Sequence, residues 1–273
     1  MLTADDLLAD RRWLVLTGAG VSTDSGIPDY RGPGAPVRMP MTYQDFVRGP
    51  EAQQRYWARA HIGWSRMRTA EPNATHHLLS ALERGGRLTG LITQNVDGLH
   101  TRAGHRDLVD LHGRIDRVIC LECRRVSPRS ELHERLTAMN PGYDQRPAES
   151  MPDGDTTFED TADFRVADCE GCGGRLKPDV VFFGENVPKD RVERCYEWVA
   201  GTEALVVLGS SLQVMSGLRF VRRAHQREIP IVIINRGPTR GDNLATLKVE
   251  AGCAETLSRI AAHLAAERPH ALA

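Results

Sequence analysis

Residues 12–22 read Arg12-Trp13-Leu14-Val15-Leu16-Thr17-Gly18-Ala19-Gly20-Val21-Ser22. The run 12–17 is strand-sized and continuously apolar from Trp13 to Leu16, the pattern of a strand buried on both faces. The Gly-Ala-Gly turn it feeds lets backbone amides approach a phosphate without a Cβ in the way. A glycine pair after a strand also serves as a plain tight turn. The acidic residue about 20 positions further on that usually holds a ribose is not at an evident strand end, so any dinucleotide here is held in a non-standard way.

Outward from this unit, similar runs predict strands over 88–93, 108–111, 180–183, 205–208 and 231–234. Helical patterns fall between them: 3–8 near the N-terminus, 75–84 opened by Pro72-Asn73 and closed by Gly85-Gly86, and 254–266 after Gly252. The alternation predicts an α/β fold, a Rossmann-like parallel sheet with helices on both faces. Two stretches break it, an aromatic and arginine-rich one before Glu71 and a cysteine-bearing one over 119–175. We therefore expect a Rossmann-like, nucleotide-binding domain over 1–35, 72–118 and 176–273, and a smaller domain over 36–71 and 119–175 made of a helical insert and a cysteine-bearing module. The segment 140–160 is rich in proline, glycine and acidic residues and is expected to be an exposed, mobile loop.

The cysteine-bearing stretch holds two Cys-x-x-Cys pairs, Cys120/Cys123 and Cys169/Cys172. Two such knuckles complete the tetrahedral sulfur shell of a structural zinc ion, with no position left open for water or substrate. The 45 residues between Cys123 and Cys169 exceed the spacing of a compact ribbon, so something extra is inserted. Disulfides are the alternative, disfavoured in a reducing compartment. Residues 1–10 carry three aspartates and no basic region followed by an apolar one, and no apolar run approaches the roughly 20 residues that cross a bilayer. These features predict a cytoplasmic protein that does not enter membranes. A net charge of -1 leaves no basic excess to hold nucleic acid by its phosphates.

Polar groups cluster at the carboxyl ends of the predicted strands, where parallel sheets bind ligands: Gln94, Asn95 and Asp97 after the second strand, His112 after the third, and Gly209, Ser210 and Ser211 after 205–208. His112 is the most suggestive, since imidazole titrates near neutrality and takes a proton from a hydroxyl. Asn95 and Asp97 also suit plain loop capping, and Cys195 suits a small buried hydrophobe.

Together these residues resemble the sirtuin family: Gly-Ala-Gly-Val-Ser at 18–22, Gly-Ile-Pro-Asp-Tyr-Arg at 26–31, Thr-Gln-Asn-Val-Asp-Gly-Leu-His at 93–100, Leu-His-Gly at 111–113, the paired cysteines, Lys-Pro-Asp-Val-Val-Phe-Phe-Gly-Glu at 177–185 and Gly-Ser-Ser-Leu-Gln-Val at 209–214. The likeness covers nearly the whole chain in order. Arg-Tyr-Trp-Ala-Arg at 55–59, Gly63-Trp64 and Pro-Asp-Gly-Asp at 152–155 resemble the class II branch, which includes a mitochondrial sirtuin of animals.

The resemblance implies an NAD-dependent protein-lysine deacylase in which NAD is a co-substrate. The acyl oxygen attacks the nicotinamide ribose, nicotinamide leaves, and water finally yields free lysine and 2′-O-acyl-ADP-ribose. His112 then corresponds to the general base, and Asn95 and Asp97 to groups around the nicotinamide carboxamide and ribose. Gly18, Ala19, Gly20 and Ser22 correspond to the phosphate turn, and Asp29 and Arg31 to the segment that closes over NAD. Gln94, Gly209, Ser210, Ser211, Asn235 and Cys253 match further contacts along the dinucleotide. Val180, Val181, Phe182, Phe183, Gly184 and Glu185 resemble the segment that pairs with the acyl-lysine peptide of a protein substrate. Cys120, Cys123, Cys169 and Cys172 hold one zinc ion. Tyr56 and Arg59 echo the Tyr-x-x-Arg pair of desuccinylating sirtuins, but the surrounding residues align with class II, and Arg55 and Arg59 are expected on a solvated helix face. Two other readings stand beside this one: a protein ADP-ribosyltransferase, and a non-catalytic zinc protein that senses NAD.

Overall fold

The structure, a computed structural model, describes residues 3–30 and 40–266. Its strands are β1 (Trp13–Thr17), β2 (Leu88–Thr93), β3 (Leu108–Asp110), β4 (Gly113–Cys120), β5 (Val126–Pro128), β6 (Leu176–Val180), β7 (Ala204–Leu208), β8 (Ile231–Ile234) and β9 (Leu247–Val249). The helices are α1 (Ala4–Leu8), α2 (Tyr43–Phe46), α3 (Pro50–Met67), α4 (Ala74–Arg84), α5 (Leu99–Arg102), α6 (Arg129–Met139), α7 (Lys189–Gly201), α8 (Met215–Gln226) and α9 (Cys253–Ala266).

Six strands form one sheet in the order β3-β2-β1-β7-β8-β9, and every pairing in it is parallel. Side chains alternate across a strand, and β1 shows where they go. Trp13 and Val15 pack with Leu8 of α1, Leu79 of α4 and Ile260 of α9. Leu14 and Leu16 face the other way, against Val199 of α7 and Phe220 of α8. A sheet covered by helices on both faces explains why β1, β7 and β8 are buried at every position and lack polar alternation. The expected fold class is the one observed.

Helix α4 begins where Asn73 accepts a hydrogen bond from the Thr75 amide at 2.9 Å, which satisfies one of the free donors of the first turn. It stops at Gly85 and Gly86, the latter at φ +71°.

The other three strands form an antiparallel sheet in the order β5-β4-β6. Val118 of β4 and Leu176 of β6 share a core with Phe46, Trp57 of α3 and Leu132 and Leu136 of α6. The Trp57 indole nitrogen donates to the Leu176 carbonyl at 3.1 Å and fixes α3 on this sheet.

Three expectations are corrected here. The strand expected over 180–183 is Leu176–Val180, it belongs to the antiparallel sheet, and the residues after Val180 leave it. The segment 140–160 is not simply exposed, since Tyr143, Met151, Asp155 and Thr156 are all buried. Arg59 is not solvated: it pairs with Asp155 at 2.7 Å and donates from Nε to the Thr156 carbonyl at 2.6 Å. Composition made the segment look soluble, but its acidic residue is the partner of a helix arginine almost a hundred positions earlier. Arg55, by contrast, is exposed as expected. Gly63 of α3 makes room for this insertion, because a Cβ there would run into the Gly154 carbonyl. Among the described residues no helix is long and apolar enough to cross a membrane.

Candidate active site

A cleft of about 690 Å³ opens at the carboxyl ends of the parallel strands. Its walls come from the loops after β1, β2, β3, β7 and β8 and from the stretch after β6. Gly18, Ala19, Gly20, Ser22, Asp29, Gln94, Asn95, Asp97, His112, Gly209, Ser210, Ser211, Asn235 and the residues 180–185 all line it. Arg31 lies outside the described residues. Cys253 does not line the cleft; it opens α9 beside the sheet core, its thiol turned to the Ile234 carbonyl at 3.9 Å.

The turn after β1 lies directly on the turn after β7. Gly20 donates to the Gly209 carbonyl at 2.9 Å, and a Cβ on Gly18 would sit 2.7 Å from the Ser210 Cβ. Glycine is therefore required at position 18 by the approach of the two loops. The Asn95 amide donates to the Gly18 carbonyl at 3.0 Å and to the Ser22 hydroxyl at 3.1 Å. Ser22 in turn donates to Asp97 at 2.7 Å, and the second oxygen of Asp97 accepts from the Leu99 amide at 2.9 Å. Burial raises the Asp97 carboxyl above the usual range, opposed by these two bonds. Asn95 and Asp97 thus cap loops and line the cleft at once.

Gln94 ties the floor together. Its side-chain oxygen accepts from Ser210 at 2.7 Å, and its main-chain oxygen meets His112 Nδ1 at 2.8 Å. The other ring nitrogen, Nε2, lies 2.7 Å from the Ser216 hydroxyl. Burial lowers the His112 pKa, partly offset by the Gln94 carbonyl, with Arg191 and Arg219 adding to the depression. The imidazole is consequently neutral at physiological pH and able to take up a proton.

Opposite, the Val181 amide donates to the His112 carbonyl at 2.7 Å, which sets the stretch after β6 against His112. Glu185 accepts from the Phe182 amide at 3.0 Å and pairs with the buried Lys177 at 3.1 Å, closing that stretch into a fixed loop. Phe182 stacks on Phe46 at 5.3 Å, whereas Phe183 stands 37% exposed at the mouth.

The cleft also contains residues that the sequence did not assign to it. Ser216 and Arg219 sit on α8 and Pro152 and Asp153 come from the insertion; nothing in their local sequence marks them as neighbours of His112 or Tyr56. Tyr56 lines the cleft, while Arg59 is turned to Asp155.

The four motif cysteines form a separate cluster, their sulfurs all within 4.8 Å of one another. Cys120 and Cys172 are 3.6 Å apart and Cys123 and Cys169 3.8 Å. These separations are far too long for disulfides. They match the edge of about 3.8 Å expected for a tetrahedron with zinc–sulfur bonds of about 2.3 Å. The Cys123 amide points at the Cys120 sulfur at 3.5 Å, as a knuckle requires. The residues fit one structural zinc, and none of them lines the cleft.

A parallel sheet with a glycine turn, an amide, a carboxylate and a neutral imidazole at one edge, stapled elsewhere by four thiolates, defines an NAD-dependent enzyme with a structural zinc. Residues 18–216 match the Sir2 family, and the chain belongs to that family. It is 54% identical over 264 residues to NAD-dependent protein deacetylase 1 of Mycobacterium avium (strain 104), spanning 94% of this chain and 93% of that one. To the NAD-dependent protein lipoamidase sirtuin-4, mitochondrial, of Bos taurus it is 48% identical over 257 residues, spanning 92% and 82%. This second likeness agrees with the class II resemblance. Among solved structures, one described as Sir2 bound to acetylated peptide superposes with a TM-score of 0.74 at 30% identity, covering 93% of this chain and 94% of that one.

Proposed function

We propose that this protein is an NAD-dependent protein-lysine deacylase that moves the acyl group from lysine to ADP-ribose and releases nicotinamide and 2′-O-acyl-ADP-ribose. The observation that carries the reading is His112 on the wall of the same cleft as the glycine turn, Asn95 and Asp97, where burial lowers its pKa. NAD brings the ribose and the nicotinamide leaving group. The other roles belong to side chains and backbone of this chain.

Gly18, Ala19, Gly20 and Ser22 form the wall on which the diphosphate lies, with Gln94, Gly209, Ser210 and Ser211 beside it. Asn235, with Cys253 behind the wall, faces the far end of the dinucleotide, and Asp29 lines the cleft beside it. Asn95 and Asp97 orient the nicotinamide ribose, and His112 removes a proton from a ribose hydroxyl. Val180, Val181, Phe182, Phe183, Gly184 and Glu185 offer main chain to the substrate peptide, a mode that ties affinity weakly to sequence. The chain divides into an NAD-binding domain of residues 1–35, 72–118 and 176–273 and a smaller domain of 36–71 and 119–175. We place it in the cytoplasm, acting on acylated protein lysines and on neither nucleic acid nor membranes.

Incubation with NAD and an acyl-lysine peptide, followed by mass spectrometry, tests this reading. Release of 2′-O-acyl-ADP-ribose, abolished by His112→Ala, is expected. ADP-ribose attached to an acceptor protein with the peptide untouched would replace deacylation by ADP-ribosyl transfer. NAD binding without nicotinamide release on any peptide would make the protein a sensor.

A further inference from the structure

The hydrogen bonds around His112 determine which ring nitrogen is bare. A carbonyl oxygen only accepts, so Nδ1, 2.8 Å from the Gln94 oxygen, carries the ring hydrogen. The buried ring is neutral, so Nε2 offers only a lone pair. The Ser216 hydroxyl, 2.7 Å from that lone pair, is therefore the donor of the second bond.

We propose that Ser216 is a positioning residue whose hydroxyl donates to His112 Nε2 and holds the ring, with its unprotonated nitrogen at the cleft wall, until a ribose hydroxyl displaces Ser216 from that lone pair. With Gln94 gripping one nitrogen and Ser216 the other, the imidazole cannot rotate about its Cβ–Cγ bond without losing both bonds. The support is rigid on each side. Ser216 is the second residue of α8, is 8% exposed and lines the cleft. Its neighbour Gly217 lets the helix approach the loop after β2, since a Cβ there would lie 2.6 Å from the Gln94 side-chain nitrogen.

The bond also biases the ring's protonation. A donor on Nε2 stabilises neutral imidazole and does nothing favourable for imidazolium, whose Nε2 bears a hydrogen. The charged groups that act on His112 from the surrounding elements are Arg191 of α7 and Arg219 of α8, and both oppose imidazolium. Asp110, at the end of β3, faces Arg114, Arg117 and Arg191. Ser216 therefore works in the same direction as its cationic neighbours, and Gln94 against them.

This inference rests on His112 as the base. In Ser216→Ala the neutral form loses a donor, the His112 pKa rises, and activity on the acid side falls. The acid limb of kcat/KM for NAD is expected to move up by about half to one pH unit, the size of one neutral hydrogen bond. KM for the peptide stays within about twofold, because Ser216 acts through the base, and Ser216→Thr, which keeps the hydroxyl, returns the limb to its original place. A limb that coincides in Ser216→Ala and the parent protein, or that moves equally in the Thr variant, overturns the proposal. Nitrogen NMR of the unsubstituted protein needs no variant to fold: the Nδ1–H tautomer at His112 is expected, and the Nε2–H tautomer overturns it. Absence of deacylation at every pH would instead remove the proposed function and leave the tautomer measurement standing.

Discussion

Ser22 donates to Asp97 at 2.7 Å, which ties the loop after β1 to the loop after β2 across the cleft wall. Asn95 reaches the same hydroxyl from the other side at 3.1 Å, which makes Ser22 the joint of the whole arrangement. Ser22→Ala leaves one oxygen of the half-buried Asp97 without its partner and removes one of the two bonds of the Asn95 amide, the one to Gly18 remaining. A loss of about 1–3 kcal/mol in stability is expected, together with a fall of roughly tenfold or more in kcat/KM for NAD. Thermal melts and initial rates check both. Rates and melting temperature that match the parent protein would show that the joint is dispensable.

How much of this was legible in the sequence depends on how far each residue's partners lie along the chain. Strands β1, β2, β7 and β8 are mostly or wholly buried, so their composition alone displays them, and the polar residues that follow mark the cleft. The partly buried β9, with Lys248 at its centre, gives no such run. Strand β4 alternates in burial, yet Arg114, Asp116 and Arg117 disguise it as a polar segment. Ser216 stands 104 positions from His112 on a helix that carries no motif at that point. Side-chain pairs made only by the closed fold, like Ser216 with His112, leave no local pattern to read.

Arg129 is expected to be an expensive residue for the fold. It is 1% exposed, lies over the Trp57 ring at 4.4 Å and donates to the Ala60 carbonyl at 3.1 Å. Its Nε and Nη1 have no hydrogen-bond partner, and among the described residues no ion pair involves it. Burial pushes its pKa down to about 10. Arg129→Met keeps an unbranched stem of similar length and removes the stranded charge, so stability should hold or rise by about 1–2 kcal/mol. Denaturant unfolding decides the matter, and a loss beyond about 2 kcal/mol would mean that the contact with the indole outweighs the desolvation.

Removing the zinc should unfold the antiparallel sheet region first. Cys120 ends β4, Leu176 after the second knuckle opens β6, and these strands pair at Cys120 and Leu176. The thiolate shell thus fixes the register from which the stretch 181–185 departs toward His112. A chelator strong enough to strip the ion, or Cys120→Ser, is expected to lower the melting temperature sharply and abolish peptide deacylation, with one zinc per chain lost by atomic emission. A metal-free protein that melts at the same temperature would assign these cysteines another purpose.

The pairing of Asp155 with Arg59 makes stability depend on pH in a direction opposite to that of an ordinary surface salt bridge. Burial drives the Asp155 carboxyl up to about 7, against the attraction of Arg59 and with repulsion from Asp153 adding to the rise. In the unfolded chain the same group titrates near 3.8. Between these values the folded state holds a proton that the unfolded state has lost, so this group's contribution is fully present below about pH 4 and is lost as pH rises through about 7. Asp155→Asn, neutral at every pH, has no such slope. Measured from pH 5 to pH 8.5, the variant is therefore expected to gain on the parent protein by on the order of 3 kcal/mol, whatever its absolute stability. A difference that stays flat across that range, or grows in favour of the parent at high pH, would mean that Arg59 holds Asp155 ionised throughout.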